Sequence, residues 1–236
     1  METIKIAHLY YDLLNLYGES ANIFSLKKHF EKNKIKVITH FLSIDDEIDF
    51  NRYDIFYLGS GNLETFLIVY ADIIKRKKEI KKVFKDKLFI ATGNSQIYFG
   101  KTFRTLDGKV LPMLDLLDFD SVETDFQIVG ESIGKSDKTE PIIGFQNRFS
   151  VLKNINEPRF ITMEVGTGST IKDLEEGIFL PYYLGTYMLG PLFIRNPLFT
   201  EYIVKQELEK RNIEYIGFHE ELATKAYQNY LDNFEK

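Results

Sequence analysis

The apolar run Leu88-Phe89-Ile90-Ala91 stops at Thr92-Gly93-Asn94-Ser95, and Gln96 can begin a helix. A strand that turns sharply into a helix is where many α/β enzymes hold a nucleophile. The Thr92 hydroxyl is the candidate, but a hydroxyl attacks poorly unless a base takes its proton. Two further loops follow apolar runs: Gly59-Ser60-Gly61-Asn62 after Asp54–Leu58, and Tyr10–Gly18 after Ile4–Leu9. Ligands of open α/β sheets bind at the carboxyl ends of the strands, so all three loops are expected to meet there. Gly59, Gly61 and Gly93 would let backbone N–H groups approach a ligand and form an oxyanion site. The same glycines also serve a purely structural turn.

The search for a base is less productive. The histidines are His8, His29, His40 and His219. His8 ends the first strand, where it either borders the cleft or is an ordinary strand-end histidine. Known threonine nucleophiles use a free N-terminal amine as base, and Thr92 is internal. A nucleophile elbow is a strained turn, often with positive φ, which a β-branched residue resists. A relaxed turn with ordinary negative φ at Thr92 is therefore expected.

Composition excludes several classes of function. There is no cysteine, hence no disulfide, thiolate metal site or cysteine nucleophile. The histidines are far apart in sequence, and Gly59–Asn62 lacks the Gly-Lys-Ser/Thr of a phosphate loop, so no metal and no cofactor is expected. A net charge of −5 argues against a nucleic-acid surface. Lys75-Arg76-Lys77-Lys78, Lys81-Lys82 and Lys85 break that trend, as a solvated helix face or as a patch for an anionic partner. Asp12 and Glu19 read as local caps or pairs. Tyr10, Tyr11 and Tyr17 are either interface aromatics or packing for their loop. No run approaches the ~18 apolar residues of a membrane helix. The opening METIKIAHLYYDLLNLYG lacks a basic stretch followed by a long apolar one, so a cytoplasmic protein is expected.

The elements that must position these residues follow from periodicity. Ile23, Leu26 and Phe30 fall on one face of a helix over 20–34, with Ser20 as its cap. Strands are expected at 4–9, 35–42, 54–58 and 88–91, with one long helix over 63–83. Strands joined by turns are expected at 103–111, 121–132, 142–149 and 160–164, the clearest turns being 134–138 and 166–168. Pro197 begins a helix to about Arg211 capped by Asn196, and a last helix covers about 220–233. The pattern predicts one α/β domain over 1–236: a mostly parallel sheet flanked by helices, with a more antiparallel second half.

Five segments occur in a recognisable order: HLYYDLLNLYGESANIFSLKKHF, YDIFYLGSGN, TGNSQ, GFQNRF and GTYMLGPLFIRNP. Together they resemble the CobB/CobQ-like class I glutamine amidotransferases, which have a flavodoxin-like sheet. Within that family the resemblance is to the GatD-type glutaminase subunits of lipid II isoglutaminyl synthase. The resemblance runs from about Lys5 to Pro197. It implies a cysteine nucleophile activated by a histidine. It also implies ammonia passed to a Mur ligase-like (MurT-like) synthetase that amidates the D-glutamate of a peptidoglycan precursor. Matched residue by residue, the cysteine position is Thr92 and the histidine position in GTYMLGP is Leu189. Gly59, Ser60 and Gly61 match the oxyanion loop, and Gly93 and Gln96 match the turn after the nucleophile. Gln127 stands where an arginine would hold substrate glutamine. Gly144–Arg148 matches a segment that ends in Glu-Asn-His in the family.

The joint replacement of nucleophile, base and clamp predicts a pseudoenzyme that binds or regulates a MurT-like partner. Two alternatives stay open: an active glutaminase with rearranged residues, and a sensor that binds glutamine or another small molecule in the cleft. No nucleic-acid partner and no membrane insertion are expected.

Overall fold

The computed structural model describes residues 2–217 and 220–234, so His219 lies outside the described residues. Among the described residues, eleven strands form one sheet, in the order β2-β1-β3-β4-β11-β10-β9-β7-β5-β6, with β8 paired to β7. The parallel part contains β1 (Thr3–Leu9), β2 (Lys36–Leu42), β3 (Ile55–Leu58), β4 (Leu88–Thr92) and β11 (Tyr183–Thr186). The remaining strands are β5 (Thr102–Arg104), β6 (Val110–Pro112), β7 (Asp120–Lys135), β8 (Ile142–Lys153), β9 (Arg159–Val165) and β10 (Glu175–Leu180). Most pair antiparallel, but β5 runs parallel to β7.

Strands β3 and β4 are buried along their whole length because both faces carry helices. Such strands read as continuous apolar runs instead of alternating ones. Alternation survives in where the side chains go. Phe56, Leu58, Phe89 and Ala91 pack against α2 (Leu63–Ile73) and α3 (Lys77–Val83). Ile55, Tyr57, Leu88 and Ile90 pack toward α1 (Ser20–Lys32) and α5 (Pro197–Glu209) on the other face. Thr92, two residues beyond Ile90, therefore faces the start of α1.

Several expectations need correction. The helix over 63–83 is interrupted by a 3-10 turn, Ile74–Arg76. Ser20 is not the cap of α1. Glu19 occupies that position without a side-chain capping bond, and Asn15 Oδ1 accepts from Ser20 N at 2.9 Å. The expected strand over 103–111 is the hairpin β5–β6, opened by the Asp107-Gly108 turn where Gly108 has φ +87°. Gly134 and Lys135 still belong to β7, so that turn starts at Ser136. Strands β10 and β11 have no counterpart among the expected elements. Tyr-Leu-Gly-Thr is short and glycine-bearing, a weak strand signal by itself. Asn196 starts α5 but spends its side chain elsewhere: Oδ1 accepts from Ile143 N, and Nδ2 donates to Ile143 O and Leu192 O, all at 2.8 Å. It thereby ties β8 to α4 (Leu192–Arg195). The last helix, α6, spans Glu221–Phe234, and Tyr227 packs on Ile133 and Ile143.

Candidate functional site

The three loops converge at the carboxyl end of the parallel strands. Leu16 N donates to Ser60 O at 3.1 Å, and Asn94 N donates to Ser60 Oγ at 3.3 Å. Asn94 Nδ2 donates to Gly61 O at 3.2 Å, and Ser95 Oγ donates to Gly59 O. These bonds lace the turn after Thr92 onto the Gly59–Gly61 loop. A Cβ on Gly59 would meet Glu19 Cβ at 2.7 Å and would also strike the Leu14 carbonyl, so only glycine allows this approach. Gln96 is fully buried and its Nε2 reaches Gly93 O at 3.4 Å.

Thr92 ends β4 with φ −101° and ψ 147°, ordinary extended backbone, and the positive φ falls on Gly93 at +61°. The relaxed turn expected for a β-branched residue is what the backbone adopts. Residues Gly93–Phe99 then run as a 3-10 helix. Leu189 packs on this turn: its Cδ2 lies 3.0 Å from where a Cβ on Gly93 would stand. Its backbone is pinned by paired bonds with Phe145, Leu189 N donating at 2.9 Å and Phe145 N donating back at 3.2 Å. Leu189, 97 positions after Thr92, thus lies against the turn that follows Thr92.

The Thr92 hydroxyl points into a closed polar cluster. It donates to Glu19 Oε2 and lies 2.9 Å from Tyr57 OH. Tyr57 OH donates to the same carboxylate oxygen at 2.6 Å, and Asn22 Nδ2 donates to Tyr57 OH at 2.7 Å. Asn22 Oδ1 in turn accepts from Phe193 N at 2.8 Å, linking the cluster to the segment after Leu189. Thr92, Glu19, Asn22, Tyr57 and Leu189 expose no surface. Burial pushes the Glu19 carboxyl above its ordinary range, against the opposing bonds from Thr92 and Tyr57.

Glu19 was missed as a site residue: it does pair locally, accepting from Asn22 Nδ2 at 3.4 Å, but its carboxyl also reaches partners 38 and 73 positions away. A signal was present: Glu19, Asn22, Ile23, Leu26 and Phe30 share the helical spacing of the buried stripe. His8 is no base for Thr92. It is buried, both ring nitrogens lack a partner, and it packs edge-on to Tyr57 at 5.2 Å. Tyr10 packs inward, its hydroxyl donating to Asp72 at 2.8 Å, whereas Tyr11 is 39% exposed and Tyr17 stands edge-on to Phe145. Gln127 is exposed on β7, where the pairing with β8 shifts register between Glu123 and Ile128. The structure does not bring it into the Thr92 cluster.

The Gly144–Arg148 segment acts as a latch. Gln146 Nε2 donates to Thr167 O at 2.7 Å, and Arg148 donates to Ser169 O at 3.3 Å and to Gly168 O. The Arg148 guanidinium also sits 4.0 Å above the Tyr187 ring. Glu176 accepts from Thr186 Oγ1 at 2.6 Å and Tyr187 N at 2.7 Å. Thr186 is the register partner of Thr92.

An open depression of about 410 Å³ lies at the mouth of the loops, lined by residues including Tyr11, Asp12, Leu16, Gly61 and Asn62. Thr92 is not on its lining. Among the described residues, no group of three His, Asp or Glu is gathered to hold a metal ion, and no helix is long and apolar enough to cross a membrane.

In this setting the Thr92 hydroxyl belongs to a buried hydrogen-bonded cluster. Thr92→Val keeps its shape but removes the hydroxyl from Glu19 and Tyr57. A stability loss of about 1–3 kcal/mol in urea unfolding is expected, the usual cost of unpairing buried polar groups.

The sequence model of the CobB/CobQ-like glutamine amidotransferase domain matches residues 5–197. The chain is 29% identical over 224 residues to the lipid II isoglutaminyl synthase (glutamine-hydrolyzing) subunit GatD of Staphylococcus aureus (strain N315), covering 91% of this chain and 88% of that one. It is 26% identical over 236 residues to the GatD subunit of Streptococcus pneumoniae (strain ATCC BAA-255 / R6), covering 97% and 91%. Among solved structures, a glutamine amidotransferase aligns with a TM-score of 0.55 at 13% identity, over 86% of this chain and 98% of that chain. The glutaminase domain of Trypanosoma brucei CTPS with bound acivicin aligns with a TM-score of 0.53 at 8% identity, over 90% and 96%. At these identities the structural likeness is one of fold.

Proposed function

This chain belongs to the CobB/CobQ-like glutamine amidotransferase family, and on that premise we propose that it is a GatD-like subunit of lipid II amidation that does not hydrolyse glutamine. It serves by binding a Mur ligase-like (MurT-like) partner in the cytoplasm, as scaffold or regulator. The observation that carries this reading is the state of position 92. The hydroxyl is tied to Glu19 and Tyr57 and has no accessible surface, and Leu189, at the position the family resemblance gives to the histidine, packs on the turn that follows it. Catalysis requires a nucleophile that substrate can reach and a base that accepts its proton. The retained loops and the Leu189–Phe145 pairing support a fold kept for its contacts.

One contact favours a second reading. The Glu19 carboxyl touches Thr92 Oγ1 and would be the base of an unusual threonine amidase. One assay separates the two. Glutamate release from glutamine is measured with the chain alone and with a Mur ligase-like protein from the same organism. No release above background is expected in either case. The pair Thr92→Cys with Leu189→His is expected to stay inactive, because the laced glycine loops still cover position 92. Turnover by the unaltered chain that disappears in Thr92→Ala would overturn the proposal. Co-purification of the two proteins is the expected sign of the subunit role.

A further inference from the structure

Residues 63–83 form a nearly continuous helical rod, α2, the 3-10 turn and α3, on the flank of the sheet. Its inner face is spent on the core through Phe66, Val69, Ile73, Ile80 and Val83. Its outer face carries Leu67, Ile68, Ala71, Lys75, Lys78 and Lys82, all exposed and in step with one helical stripe, preceded by the exposed Glu64 and followed by Lys85 in the turn after α3. Leu67 and Ile68 are 38% and 43% exposed. Arg76 and Lys77 turn away from this stripe, Arg76 to Asp72 at 2.8 Å and Lys77 to Met113 O at 3.2 Å. Residues 75–87 hold eight basic side chains against two acidic ones, in a chain of net charge −5. The positive charge is therefore concentrated on one outer face that begins with bare aliphatic side chains.

We propose that this face is an interfacial docking surface for an anionic lipid bilayer, with Leu67 and Ile68 entering the headgroup region and the lysines lying on the lipid phosphates. The chemistry favours a membrane over the other anionic partners. Lysine is depleted in protein–protein interfaces, where arginine and aromatic residues are enriched. Single-stranded nucleic acids are gripped by basic grooves with aromatic stacking platforms, and the exposed stripe carries no aromatic side chain. Aliphatic residues beside lysines on one helix face are the pattern of a helix that lies in a bilayer surface. The surface deepens the lipid II reading, since it would bring the subunit to the leaflet that presents a lipid-linked substrate. It requires neither glutamine hydrolysis nor a particular partner, so its failure leaves the subunit assignment standing.

Sedimentation with vesicles tests it. The full chain is mixed with phosphatidylcholine vesicles with or without about 30% phosphatidylglycerol, a lipid that supplies the negative surface potential. Binding to the anionic vesicles only is expected, falling steeply at raised salt as screening shortens the reach of the charges. The variant Lys75→Glu, Lys78→Glu, Lys82→Glu, Lys85→Glu is expected to bind at least about 100-fold more weakly, since each lysine near such a surface contributes roughly fivefold. Leu67→Ser with Ile68→Ser is expected to weaken binding while leaving the lipid preference intact. All six side chains are exposed, so thermal melting should stay close to that of the unaltered chain. Equal binding to neutral vesicles, no binding at all, or undiminished binding by the quadruple variant would each overturn the proposal. So would capture by RNA or heparin in preference to vesicles.

Discussion

Acidifying the protein from pH 7 to pH 4 is expected to cost about 3 kcal/mol of stability through His8 alone. His8 has no exposed surface, and its ring nitrogens find no partner among Tyr11, Phe41 and Tyr57. Burial pushes the imidazole down to about 4, with Asp12 pulling weakly the other way. An unfolded histidine titrates near 6.5. Between those values the unfolded chain binds the proton and the folded chain refuses it. The stability contributed by neutral His8 is therefore fully present above about 6.5 and is lost as pH falls toward about 4. His8→Leu, similar in volume and without polar atoms, should flatten this part of the profile. The measurement is the difference in unfolding free energy between the chain and the variant at each pH. A difference that does not change with pH would show that His8 is not buried neutral. His29 titrates in the same direction, lowered to about 4 by burial and Lys28, so residual acid sensitivity in the variant is expected. Glu19 and Glu176 act oppositely. Burial raises both, so their contribution is present below the ordinary carboxylate pKa and is lost as pH rises through the folded value.

Arg148→Ala is expected to destabilise the fold by about 3–5 kcal/mol, the range for removing a buried, hydrogen-bonded charge. Its guanidinium is fully buried, bonded to the carbonyls of Gly168 and Ser169, and stacked over Tyr187. Removing it takes the Arg148 donor from the buried Gly168 carbonyl, leaves Ser169 O with Leu152 N alone, opens a void over the ring, and loosens the 166–169 turn, which Gln146 and Leu152 still tie to β8. Burial holds the Arg148 pKa below its ordinary value, while Tyr187 and Glu176 favour the charged form. Burial raises the Glu176 carboxyl, and the Arg148 charge adds to the bonds from Thr186 and Tyr187 that oppose this. Glu176→Gln combined with Arg148→Ala should therefore cost less than the sum of the single changes, because the carboxyl no longer needs compensation. Strict additivity in guanidinium unfolding would count against this coupling.

Local periodicity encodes the α/β class, the parallel strands β1 to β4 and the apolar face of α1, so these were legible in the order of residues alone. The sequence also located the turn at Thr92 and its partner motif at Leu189, since both lie in ordered segments of a family pattern. Chain order could not tell where β11 enters. A four-residue strand with a glycine gains its place only by pairing with β4, more than 90 residues earlier. The same holds for the site's chemistry. Glu19 read as a local cap or pair, and only the packing of α1 on β3 and β4 drives its carboxyl between Tyr57 and Thr92. Arg148 looked like a replaced functional residue, and the closing of β8 over the 166–169 turn makes it a buried latch. Residue types and spacing fixed which groups were available. Burial, decided by contacts distant in sequence, determined which of them stay neutral and which are sealed from solvent.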